Sequence, residues 1–238
     1  MSETKQLGLT LVEAAQAQKH ITVNEALVRL DAAAALTVED WDLTLPPSVP
    51  VEGAAYLVGP SALDEWAGKD QQVAIWSNGG WIYLSAKPGW HAWNKAIAAS
   101  ITFDGSVWLA NASEFVASGA ATLNRVVEID HVIAAGTNSV TVDIIPSHAQ
   151  VIGVTARVIT EITGSGVTSW SLGVTGDEVR YASGLGLTQN SYANGIAGSP
   201  QTYWENTPLV LTPDAGTFSN GTVRIAVHMT ELSPPRAV

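Results

Sequence analysis

The sequence predicts a mainly β protein with a short N-terminal helical segment. A small Trp-rich antiparallel β unit is followed by a domain of the β-sandwich or jelly-roll type. Short runs of β-branched and aromatic residues, separated by Gly-, Asn- and Pro-rich turns, recur along most of the 238 residues. Tryptophan marks the first part, because seven of the nine Trp residues lie between Trp41 and Trp108.

The two parts also differ in their basic residues. Every lysine lies at or before Lys95, whereas arginines from Arg125 onward supply all the later positive charge. We therefore place a boundary within residues 110–125 and divide the chain into residues 1–118 and residues 119–238. Either part is long enough to bury a core of its own.

Bulk composition excludes several functional classes. A net charge of −11 without any basic run argues against a nucleic-acid partner, since phosphate binding needs a basic face. The chain has no cysteine, so neither disulfides nor thiolate metal sites are available. The start, MSETKQLGLT, lacks the pattern of a signal peptide, and no apolar stretch approaches the roughly 20 residues of a membrane span. We expect synthesis in the cytoplasm, no membrane partner, and release by a route such as cell lysis.

A capping pattern predicts the helix. Thr22-Val23-Asn24-Glu25 has the form of a capping box, and the sequence then predicts a helix from about Val23 to Ala35. The apolar residues of this segment share one helical face: Val23, Ala26, Leu27, Leu30, Ala33 and Ala34. Leu9 to Gln18 is a candidate for a second short helix.

Strands are predicted in both parts. In the first, Val73–Trp76 and Trp81–Leu84 flank Asn78-Gly79-Gly80, which predicts a hairpin with a tight turn. In the second, longer strands are predicted over 126–133, 139–145, 151–162, 169–174, 208–211 and 222–229. The exception is Ala182 to Gln201, a polar and Gly-rich stretch that we interpret as a long functional loop.

No catalytic or cofactor motif is present. The five histidines show none of the short spacings typical of a metal site, so we expect neither metal nor cofactor. The carboxylates of the second part lie in no motif that identifies a glycosidase, and no nucleophile elbow or phosphate-binding loop occurs. The sequence therefore favours a protein that is not an enzyme.

Aromatic residues near the Gly- and Asn-rich segments suggest glycan binding. Sugar rings can stack on Trp and Tyr, whose polar tips also form hydrogen bonds. The candidates are Trp170, Tyr181, Tyr192, Tyr203 and Trp204. For each of them the alternative is a place in the core or in a subunit interface, where aromatic residues are also enriched.

The segment LGLTLVEAAQAQKHITVNEALVRLD, residues 7–31, resembles the opening of a domain-of-unknown-function family in phages and gene transfer agents of alphaproteobacteria. The likeness is carried by Gln16-Ala17-Gln18-Lys19-His20, by Asn24-Glu25-Ala26-Leu27 and by Leu30-Asp31, and it continues to about Trp108. Thr10 stands where the family pattern leads us to expect proline. The closest likeness is to the fibre of a gene transfer agent head spike.

The resemblance implies that the protein is an appendage of a phage-like particle. It also implies a homo-oligomer, which by analogy with phage fibres is a trimer. It implies that residues 1–118 attach to a base protein of the particle, while residues 119–238 meet the capsular polysaccharide of the host. The polar residues Gln16, Gln18, Lys19, His20 and Asn24 are then candidates for docking and helix capping. Two alternatives stay open: a purely structural connector, and a capsule depolymerase.

Overall fold

The computed structural model describes residues 3–12 and 19–237, with the backbone alone for Lys19 and His20. The described residues fall into two compact units, which lie within the ranges Met1–Gly119 and Ala120–Val238. Most of the described chain lies in strands, and one α-helix lies near the N-terminus, which confirms the predicted fold class. Among the described residues, no helix is both long enough and apolar enough to cross a membrane.

Unit 1 combines the helix with two small sheets. The elements are α1 (Lys19–Ala34), β1 (Thr37–Val38), β2 (Ala55–Leu57), a short 3-10 helix (Asp64–Trp66), β3 (Val73–Ser77), β4 (Gly80–Leu84), β5 (His91–Asn94), β6 (Ala99–Phe103), β7 (Trp108–Ala110) and β8 (Ala112–Phe115). Strands β1, β5, β6 and β7 form one sheet in the order β1-β5-β6-β7, and β2, β3 and β4 form the other in the order β2-β3-β4.

The hairpin between β3 and β4 is confirmed. Its turn consists of Asn78 and Gly79, whose φ angles are 50° and 77°. Two residues with positive φ give the turn a twist that matches the right-handed twist of the strands. The pairing of Ser77 with Gly80 follows directly from this turn.

The helix differs from the prediction at its start and in its buried face. It includes Lys19, so Thr22 lies inside it and does not cap it, and Glu25 instead forms an ion pair with Arg29 at 2.7 Å. The side of α1 that packs on the core carries Val28 and Ala32. The apolar residues at 23, 26, 30, 33 and 34, which the periodicity places on one face, are exposed. Periodicity shows that a helix has an apolar face but does not tell which side the rest of the unit covers.

Asp31 fixes the start of the described chain to α1. Its buried carboxylate accepts hydrogen bonds from Thr4 Oγ1 at 2.8 Å and from the backbone N–H groups of Gln6 and Leu7 at 2.9 and 2.6 Å. The predicted helix over Leu9 to Gln18 is not formed at residues 9–12, where Thr10 instead makes an isolated bridge with Glu3. Residues 13–18 of that prediction lie outside the described residues.

The Trp-rich region of unit 1 is largely a packed cluster. Trp66 is fully buried, and its ring lies 6.1 Å from that of Tyr56 and 5.1 Å from that of Trp81. Trp81 also meets Trp76 edge to face, and its indole N–H donates to Glu65. Such tilted and edge-to-face contacts are the preferred arrangement of aromatic pairs. These rings therefore stabilise unit 1 from within.

Unit 2 is a β-sandwich. Its strands are β9 (Ala121–Val132), β10 (Ser139–Ile145), β11 (Gln150–Ser165), β12 (Trp170–Val174), β13 (Asp177–Leu185), β14 (Tyr192–Thr202), β15 (Thr207–Pro213) and β16 (Thr217–Ser233). One sheet has the order β10-β15-β12-β13, and the strands of this unit in the other sheet have the order β14-β11-β16-β9.

The core of the sandwich follows from alternation along the strands. In β16, Val223, Ile225 and Val227 are fully buried, while the residues between them face away from the core. Side chains of a strand point alternately to the two faces of its sheet, so every second residue reaches the core. Leu172 and Leu211 enter the same core from the other sheet.

The predicted long loop at Ala182 to Gln201 is wrong. Most of it belongs to β13 and β14, and the connection is residues 186–191 only. One of its glycines permits close packing of two backbones: a Cβ on Gly195 would lie 2.3 Å from the carbonyl oxygen of Tyr181. Glycine in a strand often marks such a close approach of two backbones.

Candidate functional site

Two of the five aromatic candidates for glycan binding belong to the core. Trp170 is 1% exposed, and its indole N–H donates to the carbonyl oxygen of Gly186 at 3.0 Å. Tyr181 is 5% exposed, and burial, with the hydrogen bond to Tyr203, raises the pKa of its hydroxyl well above the ordinary value. Neither ring offers a face to a ligand, so their contribution is to the stability of unit 2.

Tyr203 and Trp204 are neighbours with different environments. The hydroxyl of Tyr203 is 2.7 Å from that of Tyr181, which holds the half-buried ring in place. Trp204 is 75% exposed, and its ring meets that of His148 edge to face with centroids 5.7 Å apart. Trp204 therefore presents an aromatic surface, but the residues that line the larger grooves of unit 2 lie elsewhere.

Tyr192 is the aromatic candidate that lies in a groove. It is 67% exposed on strand β14, and Arg157 Cζ lies 5.6 Å from the centroid of its ring. This distance is within the range of a cation–π contact. Arg157 also donates from Nη1 to the carbonyl oxygen of Asn190 at 3.2 Å, so both residues are held in position.

Strand register builds the groove across four strands. Tyr192 of β14 pairs with Arg157 of β11, which pairs with Arg224 of β16, which pairs with Asp130 of β9. Directly opposite residues of antiparallel strands point to the same face of the sheet. This row is therefore continuous on the outer face of the sandwich.

A second row runs beside the first. It consists of Asn194 of β14, Thr155 of β11, Ala226 of β16 and Glu128 of β9. The two rows surround an open depression of about 440 Å³, which we name the outer-face groove. Its polar and aromatic side chains are those of Glu128, Thr155, Arg157, Tyr192, Asn194 and Arg224.

The groove continues into a less polar region. An adjoining depression of about 410 Å³ shares Thr155 and Asn194 with it and is lined further by Ile152, Ile196, Ala197 and His228. We name these last four residues the apolar end. Its one titratable side chain, His228, forms a 3.1 Å hydrogen bond with Thr155 Oγ1.

The charges of the outer-face groove are unevenly paired. Arg224 donates from Nε and Nη2 to the two carboxylate oxygens of Asp130, both at 2.7 Å, and Glu128 lies 3.6 Å from Nε. The hydrogen bond from Arg224 lowers the pKa of Asp130 below its ordinary value. Among the described residues, no carboxylate lies within ion-pair distance of Arg157. One side of the groove therefore holds an arginine with two carboxylates, and the other holds an arginine without one.

The predicted docking residues are only partly described. Gln16 and Gln18 lie outside the described residues, and Lys19 and His20 open α1 without described side chains. Asn24 accepts a hydrogen bond from the N–H of Val12 at 2.8 Å and donates to the Val12 carbonyl at 3.0 Å. Its side chain thus joins the helix to the preceding segment of the same chain.

Most groove residues were absent from the sequence-based candidates. Thr155, Arg157, Asn194, Arg224 and Glu128 are spread over four strands, and no local pattern joins them. The available signal was the placement of polar residues at every second position of predicted apolar strands, which marks a solvent-facing side. Within residues 3–12 and 19–237, no three His, Asp or Glu side chains are grouped so as to hold a metal ion.

Two solved phage structures show partial likeness to the chain. One is titled "Cyanophage Pam1 capsid asymmetric unit", with 23% identity and a TM-score of 0.34 over 46% of this chain and 86% of that chain. The other is titled "Acidic stable capsid structure of Helicobacter pylori bacteriophage KHP30", with 14% identity and a TM-score of 0.34 over 48% of this chain and 96% of that chain. A likeness at this TM-score gives no basis for assigning a fold or a role.

No curated protein matches the chain. A family model does match part of it, and the matched residues lie within unit 1. The match begins after the QAQKH segment and includes the NEAL segment, most of helix α1 and the Trp-rich sheets. Residues 23–109 thus match DUF2793, a family described as a protein of unknown function.

Proposed function

We propose that the chain is a structural appendage of a phage-like particle, a head spike fibre or tail fibre, that attaches the particle to polysaccharide on a bacterial surface. The observation that carries the attachment role is the outer-face groove, with Tyr192 and Arg157 beside Asn194 and Thr155. The particle role is supported by the resemblance of residues 7–31 to appendage proteins of phages and gene transfer agents. Release by lysis follows from that role.

The groove suits a sugar chain better than a compact apolar ligand. It is open along the sheet, so a polymer can lie across it without having to enter by one end. The exposed ring of Tyr192 offers a surface for the C–H face of a sugar, while amide, hydroxyl and guanidinium groups beside it can bond sugar hydroxyls. Contacts of this kind are individually weak. Several copies on one particle raise the avidity without any stronger single contact.

The two units divide the work in this proposal. Unit 1 attaches to a base protein of the particle, and unit 2 presents the groove to the host. Asn24 takes part in attachment only indirectly, by holding the segment around Val12 against α1. The remaining docking candidates on this segment are Gln16, Gln18, Lys19 and His20.

Self-association is part of the proposal, as a trimer by analogy with phage fibres. Support comes from α1, where Val23, Ala26, Leu30 and Ala33 are exposed at alternating spacings of three and four residues. This is the spacing of a coiled-coil seam, in which identical helices pack the same positions against one another. A second copy of α1 therefore fits this face, because each copy carries the same seam.

The test is binding of the full chain to capsular polysaccharide purified from a capsulated host strain, immobilised and followed by biolayer interferometry. Tyr192→Ala is compared with Trp204→Ala, which removes an exposed aromatic ring outside the groove. Wild type and Trp204→Ala should bind alike. Tyr192→Ala should bind about 2- to 12-fold more weakly, as expected when an aromatic contact worth about 0.5–1.5 kcal/mol is lost.

The same experiment separates the two alternatives. A purely structural connector would show no binding by wild type, and the exposed apolar end with Ile152 and Ile196 favours this alternative as a contact surface. A depolymerase would shorten the polysaccharide during incubation, which size-exclusion chromatography of the polymer detects. Binding that is equal for Tyr192→Ala and wild type would remove the groove from the proposal.

A further inference from the structure

We infer that the outer-face groove recognises a carboxylate-bearing sugar, a uronic acid residue, through Arg157. The inference rests on the proposed glycan binding and specifies the class of glycan.

Arg157 differs from the arginines whose ion pairs are described in unit 2. Three arginines lie within 3.0 Å of a carboxylate oxygen: Arg125 with Glu231, Arg180 with Asp177, and Arg224 with Asp130. Arg157 instead contacts a carbonyl oxygen and an aromatic ring. Since its guanidinium has five N–H donors and one is used on Asn190, donors are available for a ligand.

The register places Arg157 beside Arg224 but outside its ion pairs. Arg157 and Arg224 are Cα partners in the pairing of β11 with β16, and like charges directly opposite on a sheet are destabilising. Asp130 and Glu128 both pair with Arg224 from β9, which lies on the side of β16 away from Arg157, and neither carboxylate is within ion-pair distance of Arg157. An anion beside Arg157 would therefore complete the row of charges across the sheet.

A uronic acid fits the spacing of the two groups. Its carboxylate is bonded directly to the pyranose ring, and here the guanidinium lies 5.6 Å from the centre of the Tyr192 ring. A sugar in contact with the aromatic ring can thus bring its carboxylate to Arg157. The planar guanidinium binds carboxylates through two parallel hydrogen bonds. Asn194 and Thr155 on the neighbouring row are then placed to meet ring hydroxyls.

The test uses three uronate polymers, polygalacturonate, polyglucuronate and alginate, each paired with its carboxyl-reduced form. The full-length wild type should bind at least one uronate polymer at least tenfold more tightly than the reduced form. Arg157→Gln should remove that preference, and Arg157→Lys should keep part of it, because a point charge remains without the planar fork. Lys87→Gln, which removes one exposed positive charge from unit 1, should leave the preference unchanged.

Each remaining outcome counts against the inference. Equal binding of a uronate polymer and its reduced form overturns it but leaves the proposed glycan binding intact. Equal binding of polyphosphate at matched charge would show a general anion site and overturn it as well. If none of the uronate polymers binds while the host polysaccharide still does, only this inference fails. If neither binds, the proposed function fails with it. Circular dichroism of each variant establishes that the fold is retained.

Discussion

Arg157 lies directly opposite Arg224 in the register between β11 and β16, and Asp130 lies opposite Arg224 in the next strand, β9. One row of the sheet thus carries two adjacent arginines and one aspartate. The carboxylate of Asp130 accepts two hydrogen bonds of 2.7 Å from Arg224. Within this row, Arg224 is therefore paired with a carboxylate and Arg157 is not. The stability of unit 2 should therefore depend on pH through the Asp130–Arg224 pair.

The Asp130–Arg224 pair should stabilise unit 2 at neutral pH and not at low pH. The hydrogen bond from Arg224 lowers the pKa of Asp130 in the folded state, so the folded state favours the ionised carboxylate. The stabilisation is complete above the unfolded-state pKa of about 3.9 and disappears as the pH falls through the lower folded-state pKa. The urea midpoint of wild type should exceed that of Asp130→Asn from pH 7 down to about pH 5, and the two should converge near about pH 2. The control is Glu161→Gln, at an exposed position of β11. A difference in urea midpoint between wild type and Asp130→Asn that persists at low pH would contradict the prediction.

Asp31→Asn should release the beginning of the described chain from α1. The amide keeps one acceptor oxygen where the carboxylate accepts from Thr4, Gln6 and Leu7. Hydrogen bonds to a charged group contribute about 1.5–3 kcal/mol, so we expect a loss of that size in the free energy of unfolding of unit 1. Hydrogen exchange should be faster at the amides of Gln6 and Leu7.

The matched control for Asp31 is Asp70→Asn. The Asp70 carboxylate accepts from the N–H groups of Ser61 and Ala62 in another part of unit 1. In Asp70→Asn, hydrogen exchange should be faster at the amides of Ser61 and Ala62 and unchanged at those of Gln6 and Leu7. Unchanged exchange at Gln6 in Asp31→Asn would show that the carboxylate does not hold this segment.

Trp170→Ala should destabilise unit 2 by about 3–5 kcal/mol, the usual loss for a buried large aromatic side chain. Trp170 is 1% exposed in the core of the sandwich. Trp170→Phe should cost less, because it keeps most of the ring and loses the hydrogen bond to Gly186. Urea denaturation measures both, with Trp204→Ala as the exposed control expected within about 0.5 kcal/mol of wild type. A small effect of Trp170→Ala would place this ring outside the folded core.

In the proposed oligomer, Leu30→Glu should separate the copies without unfolding the chain. Leu30 is 56% exposed in the apolar seam of α1, so a glutamate there is tolerated by a single copy but is buried where two seams meet. Leu63→Glu is the matched control, because Leu63 is also 56% exposed and lies outside the seam. Sedimentation velocity should show loss of the oligomer for Leu30→Glu alone. An oligomer that survives the substitution would exclude the seam as its interface.

Local sequence patterns predicted a large part of the fold. The turn at Asn78 and Gly79 depends on the positive φ angles that these two residues adopt readily, so the turn and its two flanking strands are enough to predict the hairpin. The long strands of unit 2 follow from alternation, because burial on one face of a sheet imposes a period of two on the residues themselves. Strand β10 agrees with its predicted range of residues 139–145.

Other features were mispredicted because distant residues decide them. The Gly-rich stretch from Ala182 has the composition of a loop. At Gly195, however, glycine is needed because the backbone of Tyr181 leaves no room for a Cβ atom. The capping box at Thr22 has a valid local pattern, yet the helix continues past it toward the N-terminus. Likewise, the side of α1 that is buried depends on where the sheets of unit 1 lie.

The sequence by itself determined the fold class, the position of most strands, and the aromatic and polar residue types that make glycan binding conceivable. The tertiary structure decided which of those residues share a surface. Trp170 and Tyr181 lie in the core, whereas Tyr192 lies beside Arg157 and in one row with Arg224 and Asp130. Strand order and register bring these residues together from four strands, and register is a property of pairs of strands that no single segment contains.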